Sequence, residues 1–230
     1  MKLVPGTVVA VFAAMLLCAC APIPPKSEPP PPAPPPPPTA DQQFEALAQR
    51  YLREAPEQSP ADATSLGDHR FDDRLDDVSA AGWQARLTFA EHYLAALEPI
   101  DRSKLSRANQ VDALLLLHEL QSDRWRLQTL QDWRWNPLVY TRIAGDALYN
   151  LLARDFAPAP ERLRNLGKRL DEIPRFLAQV REVLDPARVP KVHAETASKQ
   201  NAGLKAMLDG EIAAQIATLP QADQEVTRCP

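Results

Sequence analysis

From Asp41 onward, apolar residues recur three and four positions apart, the period of an amphipathic helix, with no sustained two-residue alternation. Phe44, Leu47, Tyr51, Leu52 and Ala55 fall on one face of a first predicted helix, which Pro56 should close. Ser59-Pro60 supplies a cap and a first helical position for a second, and Gly67 its stop. Ser79 opens a third, striped by Trp83, Leu87, Ala90, Leu94 and Leu97. Ser106 opens a fourth that runs through Val111, Leu114, Leu115 and His118 towards Trp125. Its run Leu114 to Leu117 is apolar all round, which predicts burial on several sides and makes His118 a core histidine. Asn136-Pro137 interrupts, and the next helix carries Ile143, Ala147, Leu148, Leu151 and Leu152. Leu163, Leu166, Leu170, Ile173, Leu177, Val180 and Leu184 then form a bundle-type seam, with Pro174 inside it as a predicted kink. A last helix runs from about Lys191 through Leu204, Leu208, Ile212 and Ile216 and ends before Pro220. Short, proline-marked connections between these helices predict an all-α, antiparallel bundle-like domain over residues 41–230.

The chain before this domain has a different pattern. Lys2 is followed by an apolar run from Leu3 to Ala19, shorter than the ~20 residues that span a hydrocarbon core. Leu17-Cys18-Ala19-Cys20 places small residues before a cysteine, as at a processing site, and resembles a bacterial lipobox. Residues 1–19 are therefore expected to be a lipoprotein signal peptide, with Cys20 the lipidated new amino terminus and the membrane the partner reached through its lipid. Ala21, rather than aspartate, follows Cys20, which by resemblance to Gram-negative sorting implies the outer membrane, facing the periplasm. Residues 20–40 form a proline-rich linker: twelve of the 24 prolines lie between positions 22 and 38. Proline fixes φ and lacks the donor, so the tract should run as polyproline II at ~3.1 Å per residue and hold the domain off the lipid surface.

Composition narrows the function classes. A formal net charge of -4 in 230 residues argues against a nucleic-acid partner, which calls for a basic footprint. Three cysteines cannot build a disulfide scaffold, and Cys229 has no base near it in sequence. The most polar stretch of the domain runs from Gly67 to Asp77, between two helices. Within it His69, Arg70, Asp72, Asp73 and Arg74 are the candidate ligand-cleft residues, with a solvated connection of Asp–Arg pairs as the alternative. The four histidines lie at 69, 92, 118 and 193, never three or four apart, so no helix carries a local zinc pair. His118-Glu119 opens like a zinc motif, but Ser122 stands where its second histidine belongs, and His193-Ala194-Glu195 is equally incomplete. Trp125, Trp133 and Trp135 interleave with Arg124, Arg126 and Arg134; they would either seal a helix end or stack on cell-wall sugars. No nucleophile elbow or phosphate-binding glycine loop occurs.

Several segments taken in order resemble one family. Pro60-Ala61-Asp62-Ala63-Thr64-Ser65-Leu66-Gly67-Asp68-His69-Arg70-Phe71-Asp72-Asp73-Arg74-Leu75 is similar to the amino-terminal signature of the bacterial domain of unknown function 885 family. Asn136-Pro137-Leu138-Val139-Tyr140, the stretch from Arg154 to Leu163, Arg169 to Leu177, and Glu195-Thr196-Ala197 with Gln200-Asn201-Ala202-Gly203 fit it as well. The resemblance implies a mostly helical, secreted, zincin-like metallopeptidase whose zinc helix lies in a carboxy-terminal half. No such helix stands in this sequence, so no catalytic residue and no metal ligand carries over, and zinc enters only if a separately encoded carboxy-terminal half is supplied. The expectation is an amino-terminal helical half that is not catalytic alone; a non-enzymatic periplasmic module binding peptidoglycan or peptides is the alternative.

Overall fold

The structure, a computed structural model, describes residues 36–217 and residue 221. The signal-peptide run, Cys20, Cys229 and all but the last prolines of the tract lie outside the described residues. Thr39 starts the domain with a capping box: its hydroxyl accepts from the Gln42 backbone at 3.3 Å while the Gln42 side chain accepts from the Thr39 backbone at 2.9 Å. Helix α1 (Ala40–Gln58) follows, then α2 (Pro60–Leu66), which stops at Gly67 with φ 90, a left-handed conformation that glycine adopts without a Cβ penalty.

Ser79 opens α3 (Ala80–Leu97), its hydroxyl accepting from the Gly82 backbone at 3.0 Å. Gly82 is required there, because a Cβ would meet the Asp77 carbonyl at 2.4 Å. Ser106 caps α4 (Arg107–Trp125), and the Asp41 carboxylate accepts from the Ser106 backbone at 2.9 Å and the Asn109 amide at 2.6 Å. Those bonds tie the starts of α1 and α4 together and hold the Asp41 carboxyl below its ordinary range. A π-helical turn (Arg126–Leu130) ends at Gln131, where φ 47 turns the chain. Then come α5 (Leu138–Ala153), α6 (Ala159–Val183), α7 (Lys191–Met207), a second π-helical turn (Leu208–Ile212) and α8 (Ala213–Ala217). Among the described residues there is no strand, and the all-α, bundle-like architecture read from the periodicity is the fold.

Three apolar clusters hold the helices. Phe44, Leu47, Tyr93, Leu97 and Leu120 join α1, α3 and α4. Ala61, Val78, Trp83, Tyr140, Ile143 and Phe176 join α2, the start of α3, α5 and α6. Leu148, Leu151, Leu163, Leu166 and Ile212 join α5, α6 and the second π-helical turn.

The structure corrects several expectations. Helix α1 continues past Pro56 to Gln58, because the Pro56 carbonyl still accepts from the Ser59 backbone at 3.3 Å even though the ring donates nothing. Leu52, placed on the buried face, is 68% exposed. Ser59 makes no side-chain cap; the buried Asp76 carboxylate accepts from the Ala61 backbone at 3.0 Å instead. Helix α4 is not buried on several sides. Its core face is Ala113, Leu116 and Leu120, while Leu114 and Leu115 are 62% and 63% exposed and His118 is exposed rather than core. In α6, Leu177 points outward and Phe176 is buried in its place.

Candidate functional site

The segment from Gly67 to Asp77 is anchored from within. Arg169, fully buried on α6, donates to the carbonyls of Pro60, Phe71, Arg74 and Ala147 and to the Thr64 hydroxyl at 2.7 Å. Thr64 in turn donates to Asp72 at 2.7 Å, and Asp72 also accepts from His69 Nδ1 at 3.0 Å. Burial lowers the Arg169 pKa from its ordinary value, and Asp72 and Asp76 work against that loss. Arg175 reinforces the loop by donating to the Leu75 carbonyl at 3.1 Å.

Of the five sequence-selected residues, Asp72 is buried and His69 lies at the outer end of the same polar chain, its ring stacked 3.6 Å from Phe156. Arg70 pairs with Asp68 and donates to the Arg53 carbonyl at 3.0 Å. Asp73 pairs with Lys168 at 3.1 Å, and Arg74 with Glu57 at 3.4 Å. The segment thus brings His69 and Asp72 together and spreads Arg70, Asp73 and Arg74 over its outer side.

A separate cavity of about 520 Å³ lies between α1, α2, α3, α4 and α5, within the size range of small-ligand sites. Its aromatic walls are Tyr51, Trp83 and Phe89. Three arginines reach it, and each is matched by a carboxylate. Arg86 donates to Asp76 at 2.9 Å and lies 4.5 Å over the Trp83 ring. Arg142 pairs with Asp62 at 2.9 Å and Asp146 at 3.3 Å, and Arg126 with Asp123 at 3.5 Å. Glu119, one turn before Asp123, and Asp132 have no ion-pair partner among the described residues. Burial, and then Glu119, raises the Asp123 carboxyl above its ordinary value against Arg126 and Arg86. Burial, with the charges of Asp123 and Glu119, pushes the Tyr51 phenol up to about 12, so it remains a proton donor at neutral pH. Asp76 is raised by burial as well, opposed by Arg86 and the Ala61 backbone. The cavity therefore offers aromatic surface and an uncompensated negative charge, a combination suited to a ligand with apolar and cationic parts.

Sequence reasoning did not select this cavity, because Tyr51, Arg86, Glu119 and Arg142 come from four helices. The one local signal is the like-charged pair Glu119 and Asp123, four residues apart on one helix, an arrangement that costs stability. The tryptophan–arginine cluster divides. Trp133 stacks 5.9 Å from Trp83 and donates to the Leu127 carbonyl, Trp135 stacks 5.8 Å from His193 and donates to the Leu130 carbonyl, and Trp125 alone of the three is 55% exposed. Among the described residues no three His, Cys, Asp or Glu side chains are grouped to hold a metal ion.

No curated protein matches the chain. A solved structure from Shewanella oneidensis, described provisionally as a lipoprotein of unknown function, superposes with a TM-score of 0.73 at 25% identity. The match covers 80% of this chain and 33% of that one, so this chain spans about a third of the length of the Shewanella protein. The sequence also matches, over residues 60–228, the family described as bacterial protein of unknown function (DUF885), and the chain belongs to that family.

Proposed function

We propose that this chain is a lipoprotein anchored through Cys20 on the periplasmic side of the outer membrane, and that it forms the amino-terminal helical half of a metallopeptidase-like protein, not catalytic alone. The observation that carries this reading is the mismatch of lengths: the fold covers 80% of this chain but only 33% of the Shewanella protein, and no zinc helix stands in this sequence. The anchor rests on the lipobox before Cys20, and the description of the Shewanella protein agrees with it. In the longer protein the outer side of the Gly67–Asp77 segment, with His69, Arg70, Asp73 and Arg74, would border the peptide cleft, and Asp72 would hold His69 from beneath.

Metal analysis and a peptide-cleavage assay on the purified chain test the reading, together with metabolic labelling by palmitate. The expected result is label that disappears in Cys20→Ala, no tightly held zinc and no turnover. Stoichiometric zinc with turnover would sink it.

The cavity favours a second reading, a binding module for peptides that carry a basic group. Its aromatic walls and unmatched Glu119 are the specific observation. On this reading a chain with Glu119→Gln loses binding of basic peptides, while the chain with Trp133 and Trp135 both replaced by alanine loses mainly stability.

A further inference from the structure

Helix α4 is apolar on two opposite faces. Ala113, Leu116 and Leu120 enter the core. On the other side Val111, Leu114 and Leu115, 42%, 62% and 63% exposed, form an apolar patch, and Trp125, 55% exposed, stands on the same face beyond His118 and Ser122. Leu117, one turn from Leu114, lines a groove of about 440 Å³ between α3 and α4 together with Leu94 and Leu97 and the charged Glu91, Glu98 and Arg124. Asp112 and Glu119, seven residues apart, flank Leu115 on one side, and neither has an ion-pair partner among the described residues.

We propose that this face seats an amphipathic helix from the portion of the family protein outside the matched third, its apolar stripe on Leu114, Leu115 and Trp125 and its basic flank against Asp112 and Glu119. The inference rests on the reading of the chain as part of a longer protein and assigns the surface that joins the two parts. Three observations select this occupant. The Shewanella protein shares the fold at a TM-score of 0.73 yet has most of its chain beyond the matched region, so it has material to cover a face that is bare here. An apolar patch with an adjoining groove is shaped for a helix. An antiparallel second copy would set Asp112 and Glu119 against their own counterparts, a like-charge contact that works against a symmetric dimer. Glu119 also lines the cavity, so the docked helix would border its mouth.

The test has two arms. The first is the accessible surface, in the intact Shewanella oneidensis protein, of the positions that superpose on Leu114, Leu115 and Trp125. Burial under chain from outside the matched third is expected; exposure to solvent overturns the proposal while leaving the longer-protein reading standing. The second is binding of a hydrophobic dye and sedimentation velocity on the full chain, released from the membrane in detergent, and on its Leu114→Glu, Leu115→Glu double variant. The unmodified chain should bind dye as a monomer, and the variant should lose most of that signal with the same melting temperature, since both residues are already exposed. A dimer that the double variant dissociates would assign the face to a second copy and sink the proposal, as would equal dye binding by both forms.

Discussion

Asp123 and Glu119 stand one turn apart on α4 and line the same cavity, so Asp123 ionises against the Glu119 charge. Burial is the larger cause of the raised Asp123 carboxyl and Glu119 the next, with Arg126 and Arg86 opposing. A carboxyl whose folded pKa lies above its unfolded value binds its proton more tightly in the folded state. Stability therefore falls as pH rises from the ordinary carboxylate value through the raised one, and stays lower above it. Asp123→Asn removes that penalty. The variant should melt above the parent near neutral pH, and the difference should shrink as pH falls towards about 4, where the unfolded carboxyl also protonates. Thermal melts across that range check it; a variant that melts lower at neutral pH, or an offset independent of pH, would contradict it.

At the scale of elements, Arg169 is the tie between α2, α5, α6 and the Gly67–Asp77 segment, since its donors reach carbonyls or hydroxyls in each. Arg169→Met would fill the space and leave those acceptors buried and unmet, with Asp72 losing its compensating charge. Removing one partner of such a buried arrangement costs about 3–5 kcal/mol, which for a domain of this size lowers the melting temperature by roughly 10 °C. Calorimetry with far-ultraviolet circular dichroism would show it; a loss of only a degree or two would mean that the network is not what holds the segment. The same residue shows why the sequence resolved helices better than their faces. Before Pro174 the buried positions of α6 include Arg162 and Arg169 beside Leu163 and Leu166, and beyond it Phe176 is buried while Leu177 is exposed. A pattern that assigns every arginine to solvent misplaces those positions. On α4 the leucine run hid the choice altogether, because two apolar faces give no preferred direction. Caps and stops were legible, as at Ser79, Ser106 and Gly67, because they act within a few residues.

Across the whole molecule the same division holds. The lipobox-like run, the proline tract and the helical class are local or compositional and stand in the sequence; the cavity joins Tyr51 to Arg142 and the Arg169 network joins Pro60 to α6, pairings that only the packed chain creates. Where the domain begins lies between these cases. The apolar period starts at Asp41, but the Thr39 capping box and the bond from the Gln43 side chain to the Pro38 carbonyl at 2.8 Å put the folded boundary at Pro38. A chain starting at Asp41 loses both and places a new ammonium next to a carboxylate already engaged by Ser106 and Asn109. Losing an N-cap costs about 1 kcal/mol, or roughly 2–4 °C in a domain of this size. The fragment from Pro38 should therefore melt that much higher than the fragment from Asp41, and Thr39→Ala in the longer fragment should remove most of the difference. Equal melting of the two fragments would show that α1 is held by Phe44 and Leu47 alone and that the capping box contributes nothing measurable.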